Sequence, residues 1–253
     1  MVLSAAARDS RRRSPEERDA RIELAACYRL IAKFRMTDLV YTHISARVPG
    51  TEHFLLNPYG FLFEEVTASN LVRIDIDGNI VEDTPHRVNP AGFTIHSAIH
   101  RARPDVLCVL HTHTRAGIAV SCMREGLLPL SQIALQFHGR IAYHDYEGIA
   151  LDLDERERLA RDLGDRKAMI LRNHGLLTAG ASVPEAFSLM FYLERACEIQ
   201  IAALSTAREL NMPAPETCEK VARQYDEDDE PCGVREWRAL LRQLDRADPS
   251  YRD

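Results

Sequence analysis

Two short apolar runs that lead into histidines constrain this chain more than any other feature of its sequence. Residues 106–110 are continuously apolar and run directly into His111, Thr112 and His113. Residues 168–171 form a second such run, and His174 follows three positions later. A short, continuous apolar run is typical of a strand that is buried on both faces. The sequence therefore predicts an α/β fold in which two buried strands each end near a histidine.

The rest of the chain alternates between helical and strand-like patterns. Ser14 precedes Pro15, and Asn89 precedes Pro90, which in both cases is the order of a helix-capping residue and a first helical residue. Apolar periodicity predicts helices over residues 14–34, 90–102, 115–123, 155–163, 183–204 and 235–244. Short strands are predicted over residues 44–48, 53–56, 71–76 and 140–143.

The histidines at the two strand ends have the pattern of metal ligands. Side chains two apart in a strand point to the same side, so His111 and His113 can direct both imidazoles at one point. His174 adds a third donor, and Gly175 after it allows a ligand to approach the backbone closely. Three neutral imidazoles leave a coordination position open, as in catalytic metal sites, and they suit zinc, iron, copper and nickel.

Two other polar groups have less specific patterns. His96 and His100 lie four residues apart on a predicted helix, but no third ligand is near in sequence, so a surface position is favoured. Residues 144–147, which include Tyr146, follow a predicted strand. They form either a turn or a segment that reaches the site of a neighbouring subunit.

Charge and cysteine usage limit the partners and the compartment. A formal net charge of -6 over 253 residues disfavours nucleic acid as the main partner and favours a small-molecule substrate. The six cysteines are scattered without a C-x-x-C pair, which is typical of thiols in a reducing compartment such as the cytoplasm. No apolar run approaches the roughly 18 residues that span a bilayer, and the N-terminus lacks the apolar segment of a signal peptide.

The histidine motifs resemble those of a known family. Residues 109–114, with His111 and His113, and residues 171–176, with His174, resemble the two histidine motifs of the class II aldolase/adducin family. The resemblance also includes residues 89–93, 126–131 and 142–148, in the same order along the chain. It therefore spans about residues 22–204.

The resemblance implies a fold, an assembly and a cofactor. The fold is a single three-layer α/β domain with a central, largely antiparallel sheet flanked by helices. We expect this domain over residues 14–210, after a disordered arm (1–13) and before a C-terminal helical extension (211–253). The family usually forms homotetramers with active sites at subunit interfaces. His111, His113 and His174 match the ligands of one divalent ion, Zn2+ by preference, with Fe2+ or Mn2+ as alternatives.

Two departures from the aldolases bear on the substrate. The aldolases carry their acid/base glutamate where this chain has Pro90, Ala91 and Gly92, and a glycine side chain cannot transfer a proton. Their phosphate-binding positions correspond here to His43, to Tyr59 with Gly60, and to the same Pro90–Ala91 pair. A phosphorylated sugar is therefore not expected, and the chain is most similar to the adducin-like, bacterial-type branch.

These observations favour a metal-dependent lyase that carries out aldol-type cleavage or decarboxylation of a non-phosphorylated carbonyl or carboxylate compound. Two alternatives stay open: a non-haem iron oxygenase on the same fold, and a non-catalytic, adducin-like assembly module. If the site is catalytic, the acid/base candidates are His43, Tyr59, His96 and Tyr146, since they lie on the motif loops and the helix expected around the metal.

Overall fold

The computed structural model describes residues 13–149 and 152–253, and its centre is a seven-stranded sheet with the order β3-β2-β1-β4-β7-β6-β5. The strands are β1 (His43–Arg47), β2 (Phe54–Leu56), β3 (Val72–Ile74), β4 (Cys108–Thr112), β5 (Ile141–His144), β6 (Ala168–Leu171) and β7 (Gly175–Gly180). The pair β5–β6 is parallel, and the other neighbouring pairs are antiparallel. The predicted, largely antiparallel sheet is therefore confirmed.

Eight α-helices surround this sheet in the described part of the chain. They are α1 (Pro15–Lys33), α2 (Pro90–Ala102), α3 (Arg115–Ser121), α4 (Gln132–Leu135), α5 (Glu155–Leu163), α6 (Val183–Ser205), α7 (Pro215–Gln224) and α8 (Val234–Ala247). Short 3₁₀ turns cover Phe63–Glu65 and Pro249–Arg252. Among residues 13–149 and 152–253, no helix is both long and apolar enough to cross a membrane.

The sheet lies between two helical layers, as the alternation along β4 shows. Leu110 packs into the core shared with α1, α6 and α8, whereas Val109 packs into the core shared with α2 and α5. In β6, Ile170 packs into the first of these cores and Met169 into the second. Both faces of these strands are apolar because both are covered by helices. The chain thus forms a single three-layer α/β domain, as the resemblance implied.

The predicted helix starts are confirmed at atomic level. The Ser14 side chain accepts a hydrogen bond from the backbone N–H of Glu17, and Asn89 accepts one from the N–H of Ala91. Strand β7 and the short helices α4 and α7 are not among the predicted elements. Strand β7 begins and ends in glycine, at Gly175 and Gly180, so its composition resembles a turn although the strand is buried.

The segment predicted as a C-terminal extension packs on the rest of the chain. Trp237, Leu244 and Tyr251 belong to the same core as α1 and α6. The backbone N–H of Ala68 also donates to the carbonyl of Tyr251 at 2.9 Å. Of the predicted N-terminal arm, residues 1–12 lie outside the described part. Arg13 forms an ion pair with Glu82 at 3.2 Å.

Candidate metal centre

The three histidines of the sequence motifs meet at one edge of the sheet. His111 lies in β4, His113 follows that strand directly, and His174 lies in the turn between β6 and β7. Strands β4 and β6 are not neighbours, because β7 lies between them and pairs with both. The register places His111 opposite Leu177, near the start of β7. The unpredicted strand therefore brings the two motifs together.

The turn that carries His174 has a specific backbone geometry. Asn173 has a φ of 57°, in the left-handed region that asparagine tolerates better than most residues. Gly175 leaves no room for a side chain, since an added Cβ would clash with the carbonyl oxygen of Thr112. The group that approaches Gly175 closely is the backbone of the neighbouring strand β4.

The side chains of these histidines converge through one ring nitrogen each. The Nε2 atoms of His111 and His113 are 2.9 Å apart, and those of His113 and His174 are also 2.9 Å apart. The three donor atoms all lie within 4.8 Å of one another. The structure thus brings together the three residues that the sequence predicts as ligands.

The Nδ1 atoms of His111 and His113 show which nitrogen carries the proton in these two rings. Nδ1 of His111 faces the carbonyl oxygen of Leu176 at 2.9 Å, and Nδ1 of His113 faces Asp38 Oδ2 at 3.0 Å. Both partners only accept hydrogen bonds, so each Nδ1 carries a proton and donates it. A neutral ring protonated on Nδ1 has its lone pair on Nε2. Two lone pairs that face each other at 2.9 Å repel unless a cation lies between them.

This donor set fits a divalent metal ion. Three neutral imidazoles with converging lone pairs are the ligands of many catalytic metal sites, and hydrogen bonds from their other nitrogens orient the rings. Burial lowers the pKa of His174 to about 4, and repulsion from His113 and His144 adds to this effect. Burial also lowers the pKa of His111 well below its ordinary value. The lone pairs of both rings are therefore available at neutral pH.

His43 lies beside the three histidines. It pairs with His111 across β1 and β4, and the two ring centroids are 5.2 Å apart. It is 4% exposed, and burial lowers its pKa to about 3. A Cβ added at Gly92 would lie 2.7 Å from Cδ2 of His43. The His43 ring therefore fills the space next to the position where the aldolases carry their glutamate.

The two candidate tyrosines occupy different places. Tyr146 is 54% exposed, and its ring centroid lies 6.4 Å from that of His174, so it borders the centre on the open side. Tyr59 is 46% exposed in the turn after β2, where its backbone N–H donates to Arg87. Within the described residues, no hydrogen bond or ring contact joins Tyr59 to the three histidines.

The prediction that His96 and His100 lie on the surface is wrong. Their exposed fractions are 0% and 2%, because α2 packs against β1 through the face that carries them. His96 bonds to both His43 and Ser45, and His100 bonds to Ser45. Both ring nitrogens of His96 are thus engaged, which favours a positioning role over contact with a substrate. The sequence does carry a signal for this contact of α2 with β1. His43 and Ser45 lie two apart on a strand, and His96 and His100 lie four apart on a helix, so each pair shares one face.

Two further polar residues lie near the three converging histidines: His144, within the segment 144–147 noted in the sequence, and Asp38, which the sequence does not identify. Asp38 lies in the loop before β1, whose residues Leu39 and Thr42 both have positive φ angles. His144 is buried in β5, and its Nδ1 donates to Asp162 at 2.7 Å. His144, Tyr146 and His174 line one small cleft. Residues 144–147 therefore border the candidate metal centre of their own chain.

Comparisons with known proteins agree with this architecture. The family model described as "Class II Aldolase and Adducin N-terminal domain" matches residues 22–201. A solved aldolase II superfamily protein from Pseudomonas syringae is 57% identical with a TM-score of 0.93, and the match covers 98% of this chain and 100% of that one.

Two more distant relatives represent the two branches of the family. L-fuculose 1-phosphate aldolase from Glaciozyma antarctica is 26% identical with a TM-score of 0.84, over 100% of this chain and 96% of the aldolase. Alpha-adducin from Rattus norvegicus is 50% identical over 195 residues, which are 76% of this chain and 26% of the adducin. The chain therefore belongs to the class II aldolase and adducin family.

Proposed function

We propose that this chain is a metal-dependent lyase that cleaves or decarboxylates a non-phosphorylated carbonyl or carboxylate compound. The observation that carries the proposal is the convergence of three Nε2 atoms, on His111, His113 and His174, within 4.8 Å. Hydrogen bonds to Leu176 and Asp38 hold two of these rings with their lone pairs toward the shared point. Such preorganised donors favour a bound cation over an empty polar cluster.

The site would hold one divalent ion, and we favour Zn2+ because it commonly takes three imidazoles and an open position. When bound, the ion supplies Lewis acidity toward a carbonyl or carboxylate oxygen. Fe2+ and Mn2+ are the alternatives, since imidazole also suits other divalent ions.

The residues around the centre favour a non-phosphorylated substrate. His43 stands at the position of the phosphate-binding asparagine of the aldolases, and it is neutral because burial lowers its pKa to about 3. Asparagine offers an amide N–H to a phosphate oxygen, whereas Nδ1 of His43 is already hydrogen-bonded to Nε2 of His96. Gly92 carries no acid or base, whereas Tyr146 is exposed and its ring centroid lies 6.4 Å from that of His174. We therefore propose Tyr146 as the group that transfers protons with the substrate.

A non-catalytic, adducin-like role is the second candidate. The 50% identity to rat alpha-adducin favours it, and so does the absence of the aldolase glutamate. The three converging histidines and their hydrogen-bonded partners favour the enzyme, because an assembly module has no need of converging lone pairs.

We further propose that the protein is a cytoplasmic homotetramer. All six cysteines are free thiols, as expected in a reducing compartment. Large apolar side chains are exposed on segments that flank the metal centre, notably Leu39 at 70% and Ile149 at 75%. Exposed apolar residues that cluster near a site are typical of protein interfaces.

The test is metal analysis of protein purified without a polyhistidine tag, followed by assays for pyruvate or carbon dioxide release from keto and hydroxy acids. Zinc or manganese with turnover supports the lyase. Iron with substrate-dependent oxygen uptake overturns it in favour of an oxygenase. Bound metal without turnover on any substrate of the panel overturns it in favour of the adducin-like module. His174→Ala should abolish turnover, and His138→Ala serves as the matched control.

A further inference from the structure

A small apolar cavity lies between the end of α1, helix α6 and helix α8, and it shares no residue with the metal centre. Its walls carry four aromatic side chains, which belong to Phe34, Phe187, Phe191 and Tyr192. The volume of this aromatic cavity is about 250 Å³. Pockets for drug-sized ligands measure roughly 300–1,000 Å³. The aromatic cavity therefore suits a group of only a few heavy atoms.

The spacing of the aromatic residues brings their rings together. Phe187 and Phe191 lie four residues apart in α6, so they share one face of that helix, and their ring centroids are 6.3 Å apart. Phe34 directly follows α1, and its ring packs on Phe191 with a centroid distance of 4.9 Å and an interplanar angle of 65°. The Tyr192 ring lies 5.3 Å from that of Phe191 at an angle of 83°. The rings thus surround one small space with surfaces at several angles.

Among the described residues that line the aromatic cavity, Glu236 is the one charged group. It lies in the first turn of α8 and is exposed. Its charge acts on the cavity wall, since burial raises the pKa of the Tyr192 hydroxyl and Glu236 adds to this effect. The neighbouring cation, Arg235, pairs elsewhere, with Asp228 at 3.0 Å and Glu230 at 3.3 Å. The charge at the rim of the cavity is therefore negative.

One of these rings already has a cation over its face. The guanidinium carbon of Arg195, which lies one helical turn after Phe191, is 5.3 Å from the centroid of the Phe191 ring. Arg195 itself does not line the cavity. The face of an aromatic ring attracts cations because its electron density is negative, and a nearby carboxylate adds to that attraction. Aromatic walls of this kind are the usual means by which proteins recognise quaternary ammonium ligands.

We propose that the aromatic cavity, with Glu236 at its rim, binds a small, free quaternary ammonium ion. Such an ion carries a positive charge but donates no hydrogen bond, so it leaves no N–H group unpaired against apolar walls. A primary ammonium would need an acceptor for each of its N–H groups, and the side chains of the lining offer few: the hydroxyls of Ser188 and Tyr192 and the carboxylate of Glu236. The site requires neither the metal nor the proposed lyase activity.

The first experiment compares choline with dimethylbutanol, the neutral alcohol of the same shape in which a carbon atom replaces the choline nitrogen. Binding is followed by NMR of the ligand methyl protons, which the aromatic ring currents should shift upfield. The wild-type protein should bind choline about threefold to thirtyfold more tightly than dimethylbutanol, the range of a cation–π interaction. Equal affinities, or no saturable binding of choline, would overturn the proposal.

The second experiment separates charge from shape with two variants. Glu236→Gln should weaken choline binding about twofold to fivefold and leave dimethylbutanol binding unchanged. Glu64→Gln, at an exposed glutamate outside the cavity lining, is the matched control. Phe191→Leu keeps an apolar wall without an aromatic face and should also weaken choline binding selectively. Choline binding that is unchanged in both cavity variants would overturn the proposal.

Two other occupants of the aromatic cavity give different results. If the cavity contacts a second copy of the chain, Phe191→Leu should lower the mass of the assembly in light scattering, and choline should not bind. If the occupant is a lipid headgroup, phosphatidylcholine vesicles should sediment with the protein although free choline does not bind. Either result overturns the proposal. His174→Ala should leave choline binding unchanged, so a failure of the lyase proposal is distinguishable from a failure of this one.

Discussion

The carboxylate of Asp38 accepts a hydrogen bond from Nδ1 of His113 at 3.0 Å. A residue in the loop before β1 thereby orients a proposed metal ligand that follows β4. The bond keeps the proton of His113 on Nδ1 and its lone pair on Nε2, and the negative charge makes the ring a stronger donor to a cation.

Replacing Asp38 by asparagine should weaken metal binding about tenfold to a hundredfold, since the partner loses its charge. Zinc affinity is measured by competition with a chromophoric chelator. Asp77→Asn is the matched control, because Asp77 pairs with Arg101 at 2.7 Å through exposed side chains. Equal affinities of Asp38→Asn and the control would show that Asp38 does not support the site.

Gly92→Ala should reduce the free energy of unfolding by about 1–3 kcal/mol, as overpacking does. Replacing a glycine by alanine within a helix would otherwise raise the free energy of unfolding by as much as about 1 kcal/mol. At position 92, however, the added Cβ would lie 2.7 Å from Cδ2 of His43. The loss should largely disappear in a His43→Ala background, which a double-mutant cycle in urea measures. Additive effects of the two substitutions would contradict the proposed contact.

His100 should make the protein less stable in mild acid. Burial lowers the pKa of His100 to about 3 in the folded protein, so below the ordinary value of 6.5 the unfolded chain binds more protons than the folded one. The free energy of unfolding therefore falls between about pH 7.5 and about pH 5, by about 2 kcal/mol from this ring. Urea unfolding of His100→Leu should show a smaller decrease over this range, whereas His86→Leu should match the wild type. An unchanged pH dependence in His100→Leu would contradict a neutral, buried His100.

Leu39→Asp and Ile149→Asp should dissociate the proposed tetramer, because a charge would be buried at the interface. Light scattering coupled to size-exclusion chromatography measures the mass. Met212, 45% exposed and distant in sequence from the metal motifs, provides the control substitution Met212→Asp. A monomeric wild-type protein, or a full-size Leu39→Asp assembly, would contradict the interface.

The sequence predicts those helices and strands whose signals are contained within the element itself. The caps at Ser14 and Asn89 predict the starts of α1 and α2, and the apolar runs predict β4 and β6. Strand β7 is absent from that prediction because its glycines and its threonine resemble a turn, and its stability comes from pairing with two neighbours. The convergence of His113 and His174 depends on that strand.

The sequence identifies the proposed ligands but not the residues that orient them. Histidine spacing is a strong local signal, whereas Asp38 is an isolated acid whose partner lies 75 residues away. The same limit applies to His96 and His100, whose burial depends on how α2 packs on β1. The spacing of these residues shows which of them share a face, but it does not show that the two faces meet.

The most direct test of a metal centre at His111, His113 and His174 is the metal content of the protein purified without a polyhistidine tag. Elemental analysis by mass spectrometry should find one divalent ion per chain in the wild type. His174→Ala should lose the ion while keeping a cooperative unfolding transition, and His138→Ala should retain it. Wild-type metal content in folded His174→Ala, or no metal in the wild type after reconstitution with zinc, would contradict the assignment.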